Sequence, residues 1–187
     1  MSAGPDAAGA PGLRGGGSAR EHGGMDDAAR HHDVGGPGGL SGFDRELLEA
    51  AVEQAAKSWD EGGVPIGAAV GSPELGIVGR GHNRREQDGD PTSHGEIDAL
   101  RRTGRRRDWR SLTLATTLSP CVMCTGAILL HKIGRVVIGE NDTFLGREDL
   151  LVAEGVEVVL ARDGRCVEMM RAMLAERPDV WAEDIGD

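Results

Sequence analysis

The feature that most constrains the fold is a cysteine pair placed where a strand turns into a helix. Cys121 and Cys124 follow Pro120, shortly after the strand that we predict over residues 111–117. Proline is preset for helix entry, so the i, i+3 spacing puts both sulfurs on one face of the first turn. The N–H groups at a helix start lower thiol pKa values, which favours metal-binding thiolates. Taken alone, the pair fits a redox centre or two buried small residues about as well.

A second motif, His94-Gly95-Glu96, opens the preceding predicted helix, residues 93–102. Successive β–α–β units bring their helix starts to one edge of the sheet, so this motif should meet the cysteine pair. One imidazole and two thiolates leave the fourth position of a tetrahedral zinc ion open, which is typical of a catalytic site. We therefore expect one zinc ion per chain on His94, Cys121 and Cys124, with Glu96 moving protons beside it.

The remaining hydrophobic pattern predicts an α/β domain. Apolar residues at three-to-four spacing predict a first helix from Ser41, which opens a capping box with Asp44, to the stop at Gly62. Two short runs flank a Gly-Ser-Pro turn and predict a hairpin. The predicted strands are 65–70, 76–79, 111–117, 135–139 and 156–160, and the later helices are 93–102, 121–131, 148–154 and 164–176. A hairpin followed by β–α–β units predicts a mixed sheet with helices on both faces.

Glycine marks the boundary of this domain, because residues 1–40 hold 12 of the 30 glycines and few large apolar side chains. Such a segment cannot offset its ordering entropy by burial. We expect a disordered leader over 1–40, with solvated histidines, and a folded domain over 41–187.

Charge and cysteine content narrow the partners and the compartment. A net charge of −10, with three tryptophans, two phenylalanines and no tyrosine, argues against nucleic acid or anionic membranes as the main partner. No apolar run approaches the roughly 18 residues of a membrane span, and the first residues do not resemble a signal peptide. Three cysteines, an odd number, favour a reduced compartment, so we expect a cytoplasmic protein.

The His-x-Glu and Pro-Cys-x-x-Cys motifs together are the signature of zinc deaminases. From about residue 43 to residue 187, the chain resembles the cytidine-deaminase-like superfamily and, within it, the yeast-type cytosine deaminases. The segments that carry the resemblance are 63–67, 79–83, 117–120, 139–141 and, most specifically, the acidic ending 176–187.

This resemblance implies a three-layer α/β/α fold with a five-stranded mixed sheet, a homodimer, and hydrolytic deamination of cytosine to uracil and ammonia in pyrimidine salvage. It implies attack of zinc-bound hydroxide at C4, with Glu96 as the proton shuttle. The implied substrate contacts are Asn83 at the N1 and O2 edge, the Gly95 N–H at O2, Asp184 and the Ser119 carbonyl at the exocyclic amine, and Phe144, Trp181 and Ile66 on the ring.

The sequence also fits other hypotheses about the substrate and the activity. Guanine or another amino-substituted heterocycle is the nearest alternative substrate, because an acidic ending does not exclude it. A tRNA adenosine deaminase shares Pro91-Thr92 and the cysteine motif, but such an enzyme is expected to carry a basic C-terminal region. A non-catalytic zinc scaffold is disfavoured because a structural site does not need Glu96.

Several residues also have simpler interpretations. On the residues alone, Asn83 fits a turn, Trp181 a packing anchor and Asp184 a solvated charge. However, Trp181, Asp184 and Ile185 are spaced i, i+3 and i+4, so a short terminal helix would aim all three at one pocket. We expect the six arginines of residues 101–110 to lie in a solvated loop, Cys166 to lie in the core, and His82 and His131 to be structural or surface residues.

Overall fold

The structure is a computed structural model that describes residue 1 and residues 39–186. The predicted leader over 1–40 therefore lies almost wholly outside the described residues, and it stays a prediction. Among the residues that the structure describes, no helix combines the length and the apolar character needed to cross a membrane.

The centre of the domain is a mixed sheet, as the sequence predicts. Its five strands are β1 (Gly67–Ser72), β2 (Gly76–His82), β3 (Thr113–Leu118), β4 (Arg135–Glu140) and β5 (Glu157–Leu160), in the order β2-β1-β3-β4-β5. β1 pairs antiparallel with β2 and β3, whereas β3, β4 and β5 run parallel. The hairpin supplies the antiparallel edge, and the β–α–β units supply the parallel part.

The helices are α1 (Gly42–Asp60), α2 (Arg85–Asp88), α3 (Gly95–Thr103), α4 (Val122–His131), α5 (Glu148–Ala153), α6 (Gly164–Glu176) and α7 (Pro178–Ile185). The predicted capping box at the start of α1 is confirmed, because the Ser41 side chain accepts from the Asp44 N–H and Asp44 accepts from the Ser41 N–H. The sequence analysis did not predict the one-turn helix α2, which is too short to show a periodic pattern.

Consecutive strand residues face opposite helical layers, which gives the three-layer α/β/α architecture. On β3, Leu114 belongs to the apolar cluster formed with α3, α4 and α5, whereas Ala115 packs against α1. On β4, Val136 and Val137 divide in the same way. A third cluster joins α6 and α7 to the end of the sheet through Met170, Met173, Trp181, Leu118, Val64 and Ile66.

Cys166, His82 and His131 have the structural positions that the sequence predicts, whereas the loop predicted over 101–110 is helical at both ends. Cys166 is buried, which raises its pKa to about 12. His82 is enclosed between Gln54 and Glu61, and the His131 ring lies 4.6 Å from that of Trp109. The arginine-rich stretch begins in α3 and ends in a single 3-10 turn at Trp109–Ser111, with most of its side chains exposed.

The contact between β2 and α3 depends on a glycine. A Cβ at Gly81 would lie only 2.2 Å from the Ala99 backbone nitrogen in α3. Gly81→Ala should therefore lower the free energy of unfolding by about 1–3 kcal/mol, because the helix must move away. Urea unfolding measures this value. Gly164→Ala is the control, since a Cβ there meets nothing within 4 Å. Equal stability of the two variants would contradict the close packing.

Candidate metal centre and active site

Two helix starts bring the predicted metal ligands together. His94 is the N-cap of α3 and Cys121 is the N-cap of α4, and both residues have extended backbone. Cys124 lies in the first turn of α4. His94 Nδ1 lies 3.5 Å from Cys121 Sγ and 3.6 Å from Cys124 Sγ, and the three ligand atoms all lie within 4.8 Å of one another.

These distances fit a zinc ion. Bond lengths of about 2.0 Å to nitrogen and 2.3 Å to sulfur place the two ligand atoms of a tetrahedral centre about 3.5 Å apart. Among the described residues, no other histidine, cysteine or carboxylate belongs to the group. The donor set is therefore that of a catalytic zinc site with three protein ligands, as the sequence predicts.

The charges around the centre favour a cation. Burial lowers the pKa of His94, but contacts with Asp184 and Cys121 outweigh it and raise that pKa to about 10. The hydrogen bond from Cys124 lowers the pKa of Cys121 to about 4. Burial acts in the opposite direction and would raise that pKa, and the contact with His94 lowers it further. A thiolate and nearby carboxylates thus make the centre favour positive charge, which is the requirement for binding a divalent metal.

Glu96 lies against the centre without belonging to the ligand group. It is 3 % exposed; Thr116 Oγ1 donates to its Oε1 at 3.3 Å, and Cys124 Sγ lies 3.3 Å from its Oε2. Burial, with a smaller contribution from the charge on Cys121, raises the pKa of Glu96. A buried carboxyl with a raised pKa is suited to accept a proton and to release it again.

The metal centre forms one wall of a cavity of about 560 Å³. The cavity contains most of the side chains that the resemblance implied, namely Ile66, Ser119, Phe144, Trp181 and Asp184. Phe144 and Trp181 meet edge to face, with ring centroids 5.6 Å apart. The cavity therefore combines apolar and aromatic side chains with the carboxylates of Glu96 and Asp184.

The terminal helix α7 supplies the remaining wall. Trp181, Asp184 and Ile185 all line the cavity, so the i, i+3, i+4 spacing has the predicted outcome. The Asp184 side chain is 2 % exposed, and its Oδ1 lies 3.1 Å from His94 Nε2. A carboxylate on the distal nitrogen of a metal-binding histidine fixes the orientation of the ring.

Comparison with known proteins identifies the family of this fold and site. The family model for the cytidine and deoxycytidylate deaminase zinc-binding region matches residues 41–140. The chain is 47% identical over 146 residues to the cytosine deaminase of Candida albicans, covering 77% of this chain and 97% of that protein.

The chain belongs to the cytidine and deoxycytidylate deaminase family.

Other deaminases share part of the sequence or the fold. The tRNA-specific adenosine deaminase of Haemophilus influenzae is 41% identical over 105 residues, 54% of this chain and 61% of that protein. A solved tRNA:A34 deaminase has 26% identity and a TM-score of 0.59, covering 67% of this chain and 99% of that one. The guanine deaminase of Nitrosomonas europaea shares the fold, with a TM-score of 0.55 and 21% identity. The match covers 73% of this chain and 87% of that one.

Two residues implied as base contacts in this deaminase do not line the cavity. Neither Asn83 nor Gly95 is among the described residues that line the cavity. Asn83 is fully buried; its Oδ1 accepts from the Arg85 N–H at 3.0 Å, and its Nδ2 donates to Asp184 Oδ2 at 3.3 Å. Gly95 packs on β1, where a Cβ would lie 2.9 Å from the Ile66 carbonyl oxygen.

Sequence reasoning missed two charged residues that support the site. Ser119 Oγ donates to Glu148 Oε1 at 2.7 Å and accepts from the Gly146 N–H at 2.9 Å, which ties the end of β3 to the loop that carries Phe144. Arg85 lies 3.3 Å from Asp184. Sequence pattern does not reveal either residue, because both belong to polar stretches that are typical of a solvated surface.

The metal site is testable by composition. His94→Ala, Cys121→Ala and Cys124→Ala should each lose zinc, because two remaining ligands do not hold the ion tightly. Glu96→Gln should keep about one zinc per chain. Cys166→Ala, the control for loss of a thiol, should keep it as well. Metal analysis of purified protein gives the stoichiometry. Zinc retained by Cys121→Ala and Cys124→Ala would contradict the assignment.

Proposed function

We propose that this chain is a zinc-dependent cytosine deaminase that converts cytosine to uracil and ammonia. The observation that carries the proposal is the placement of Asp184 by the terminal helix, in the same cavity as Glu96 and the zinc ligands. The cavity thus offers a carboxylate for the exocyclic amine and a second one for proton transfer. The extended identity to the cytosine deaminase of Candida albicans, which spans nearly all of that protein, supports the same substrate.

His94, Cys121 and Cys124 would hold the zinc ion. Zinc, when bound there, lowers the pKa of a coordinated water and so supplies a nucleophile at neutral pH. Glu96 would take the first proton of the attacking water and give it to the ring nitrogen. It would then pass the second proton of that water to the amine nitrogen, as the bond from C4 to the amine breaks and ammonia leaves. Burial among Thr116 and Cys124 keeps Glu96 in place and excludes bulk water from these transfers.

Asp184 provides the acceptor for the exocyclic amine, together with the Ser119 carbonyl. Its Oδ1 is buried and makes no hydrogen bond of good geometry among the described residues, although His94 Nε2 lies 3.1 Å and Arg85 Nε 3.3 Å away. A buried carboxylate oxygen with spare capacity favours a ligand that donates, and it disfavours a base that presents a carbonyl at that position.

The rest of the pocket suits one small flat ring. Phe144, Trp181 and Ile66 would contact its faces. Asn83 does not line the cavity, but by resemblance it would meet the N1 and O2 edge with the Nδ2 hydrogen and the Oδ1 lone pair that its bonds to Asp184 and Arg85 leave. The Gly95 N–H completes that edge by resemblance. A net charge of −10 and an acidic terminal segment favour a free base over RNA.

The substrate is tested by measuring ammonia release from cytosine, cytidine, guanine and tRNA with zinc-loaded protein. We expect turnover of cytosine, and we expect Glu96→Gln to reduce that turnover at least about 100-fold while zinc remains bound. Activity on guanine or tRNA with none on cytosine would overturn the proposal, and unchanged turnover in Glu96→Gln would remove that residue from proton transfer.

The chain would act as a homodimer in the cytoplasm. Helix α4 presents exposed Val122, Gly126 and Leu130 in a row at i, i+4 and i+8, and the Leu130 side chain is 78 % exposed. An apolar row on a helix surface favours a protein contact. None of the three cysteines forms a disulfide within the described part of the chain, which supports a reduced compartment.

Sedimentation velocity tests the dimer. The wild-type chain should sediment as two copies, and Leu130→Glu should sediment as one, because a buried unpaired carboxylate disfavours the contact. Leu75→Glu, at the exposed β1–β2 turn, is the matched control and should remain dimeric. A wild-type protein that sediments as a single chain would contradict this part of the proposal.

A further inference from the structure

We infer that Arg85 is a positioning residue that fixes α7, and with it Asp184, against the cavity. This inference rests on the proposed function for its kinetic consequences. Arg85 belongs to the one-turn helix α2, outside both metal-binding motifs, and it does not line the cavity. It therefore acts through Asp184 rather than on the substrate.

One guanidinium group spans two consecutive residues of the terminal helix. Arg85 Nη2 lies 3.1 Å from Glu183 Oε1 and 3.4 Å from the Glu183 carbonyl oxygen. Arg85 Nε lies 3.3 Å from Asp184 Oδ1. The Arg85 and Asp184 side chains are only 8 % and 2 % exposed, so the contact between them forms in a largely desolvated place, where charge attraction is strong.

Hydrogen bonds through Asn83 also hold the backbone of Arg85 in place. Its backbone N–H donates to Asn83 Oδ1, and Asn83 Nδ2 donates to Asp184 Oδ2. Ser58 Oγ in turn donates to the Asn83 carbonyl at 2.6 Å, which anchors the group to α1. Because α2 has 4 residues and α7 has 8, neither helix is stable alone, and both depend on such tertiary contacts.

Charge explains why an arginine is needed here. A buried carboxylate is costly unless a charge or hydrogen bonds compensate for its lost hydration. His94 is neutral when it binds a metal ion, so Arg85 is then the permanent cation next to Asp184. Lysine cannot reproduce the contact, because a single ammonium group cannot span Glu183 and Asp184 as a planar fork does.

Arg85 has two acidic partners in α7, beside the neighbouring Glu86 at 3.7 Å, and those two should not contribute equally. The Glu183 side chain is 74 % exposed, and an ion pair with so accessible a partner contributes little. The Asp184 side chain is buried, so its contact with Arg85 should dominate. Removing the Glu183 carboxylate should therefore matter much less than removing the guanidinium.

The experiment compares Arg85→Met and Arg85→Lys with Glu183→Ala and with Arg84→Met. Arg84 is the matched control, because it is the N-cap of α2 and pairs at 2.8 Å with Asp88, the last residue of that same helix. In Arg85→Met, the KM for cytosine should rise at least about tenfold while kcat changes less than about threefold, since the loss is in binding geometry rather than chemistry. Zinc content should not change.

Hydrogen–deuterium exchange supplies a readout that does not depend on turnover. The amides of residues 178–185 should exchange at least about tenfold faster in Arg85→Met than in the wild type, while those of α6 keep their rates. Arg85→Lys should show smaller changes in the same direction, and Glu183→Ala and Arg84→Met should resemble the wild type.

Unchanged exchange at 178–185 in Arg85→Met, or an equal effect in Arg84→Met, would overturn the inference. If Arg85→Met does not fold, Arg85→Lys is judged by the same two measurements, and a wild-type KM with wild-type exchange in that variant overturns it as well. A wild-type protein without cytosine turnover would sink the proposed function instead, and the exchange data would still decide whether Arg85 holds α7.

Discussion

The site depends on how closely α3 approaches the sheet. Glycine at position 95 lets the first turn of α3 rest on the Ile66 carbonyl, and glycine at position 81 lets the body of the helix rest on β2. This contact fixes the position of His94 at the start of the helix. A tetrahedral centre tolerates only a few tenths of an ångström in its ligand distances. The backbone packing of α3 therefore sets whether the imidazole and the thiolates can share one ion.

Burying two carboxylates in one small cavity costs free energy, and neighbouring groups offset that cost for each of them. Glu96 is compensated by Thr116 and by the metal centre, and Asp184 by Arg85 and Asn83. Each carboxylate comes from a different helix, one early in the domain and one at its end. This separation keeps their roles distinct, because each has its own set of partners. These partners allow Glu96 and Asp184 to be buried although both side chains are polar.

The sequence predicted the parts of the site that follow from local geometry. The metal ligands follow from the i, i+3 spacing on one helix and from the handedness of β–α–β units, and the cavity-facing side of α7 follows from helical periodicity. Arg85 could not be found in this way. Its burial depends on Glu183 and Asp184, which lie about 100 positions further along the chain, and an Arg84-Arg85 pair in a polar segment is typical of a solvated surface. The position of Asn83 differs from the implied base contact for a similar reason, because its amide bonds to Asp184 and to the Arg85 N–H, and sequence pattern does not reveal these contacts.

The zinc ligands and the α7 wall of the cavity come from separate parts of this chain. The zinc ligands and Glu96 lie on α3 and α4, in the segment that deaminases of different substrates have in common, whereas α7 lies beyond that segment. The close contact of His94 Nε2 with Asp184 Oδ1 is where the two parts meet. A change of substrate within this architecture therefore does not require a new metal centre. A different terminal helix, or a different residue to hold that helix, would change the cavity instead, because Trp181, Asp184 and Ile185 of α7 all line it.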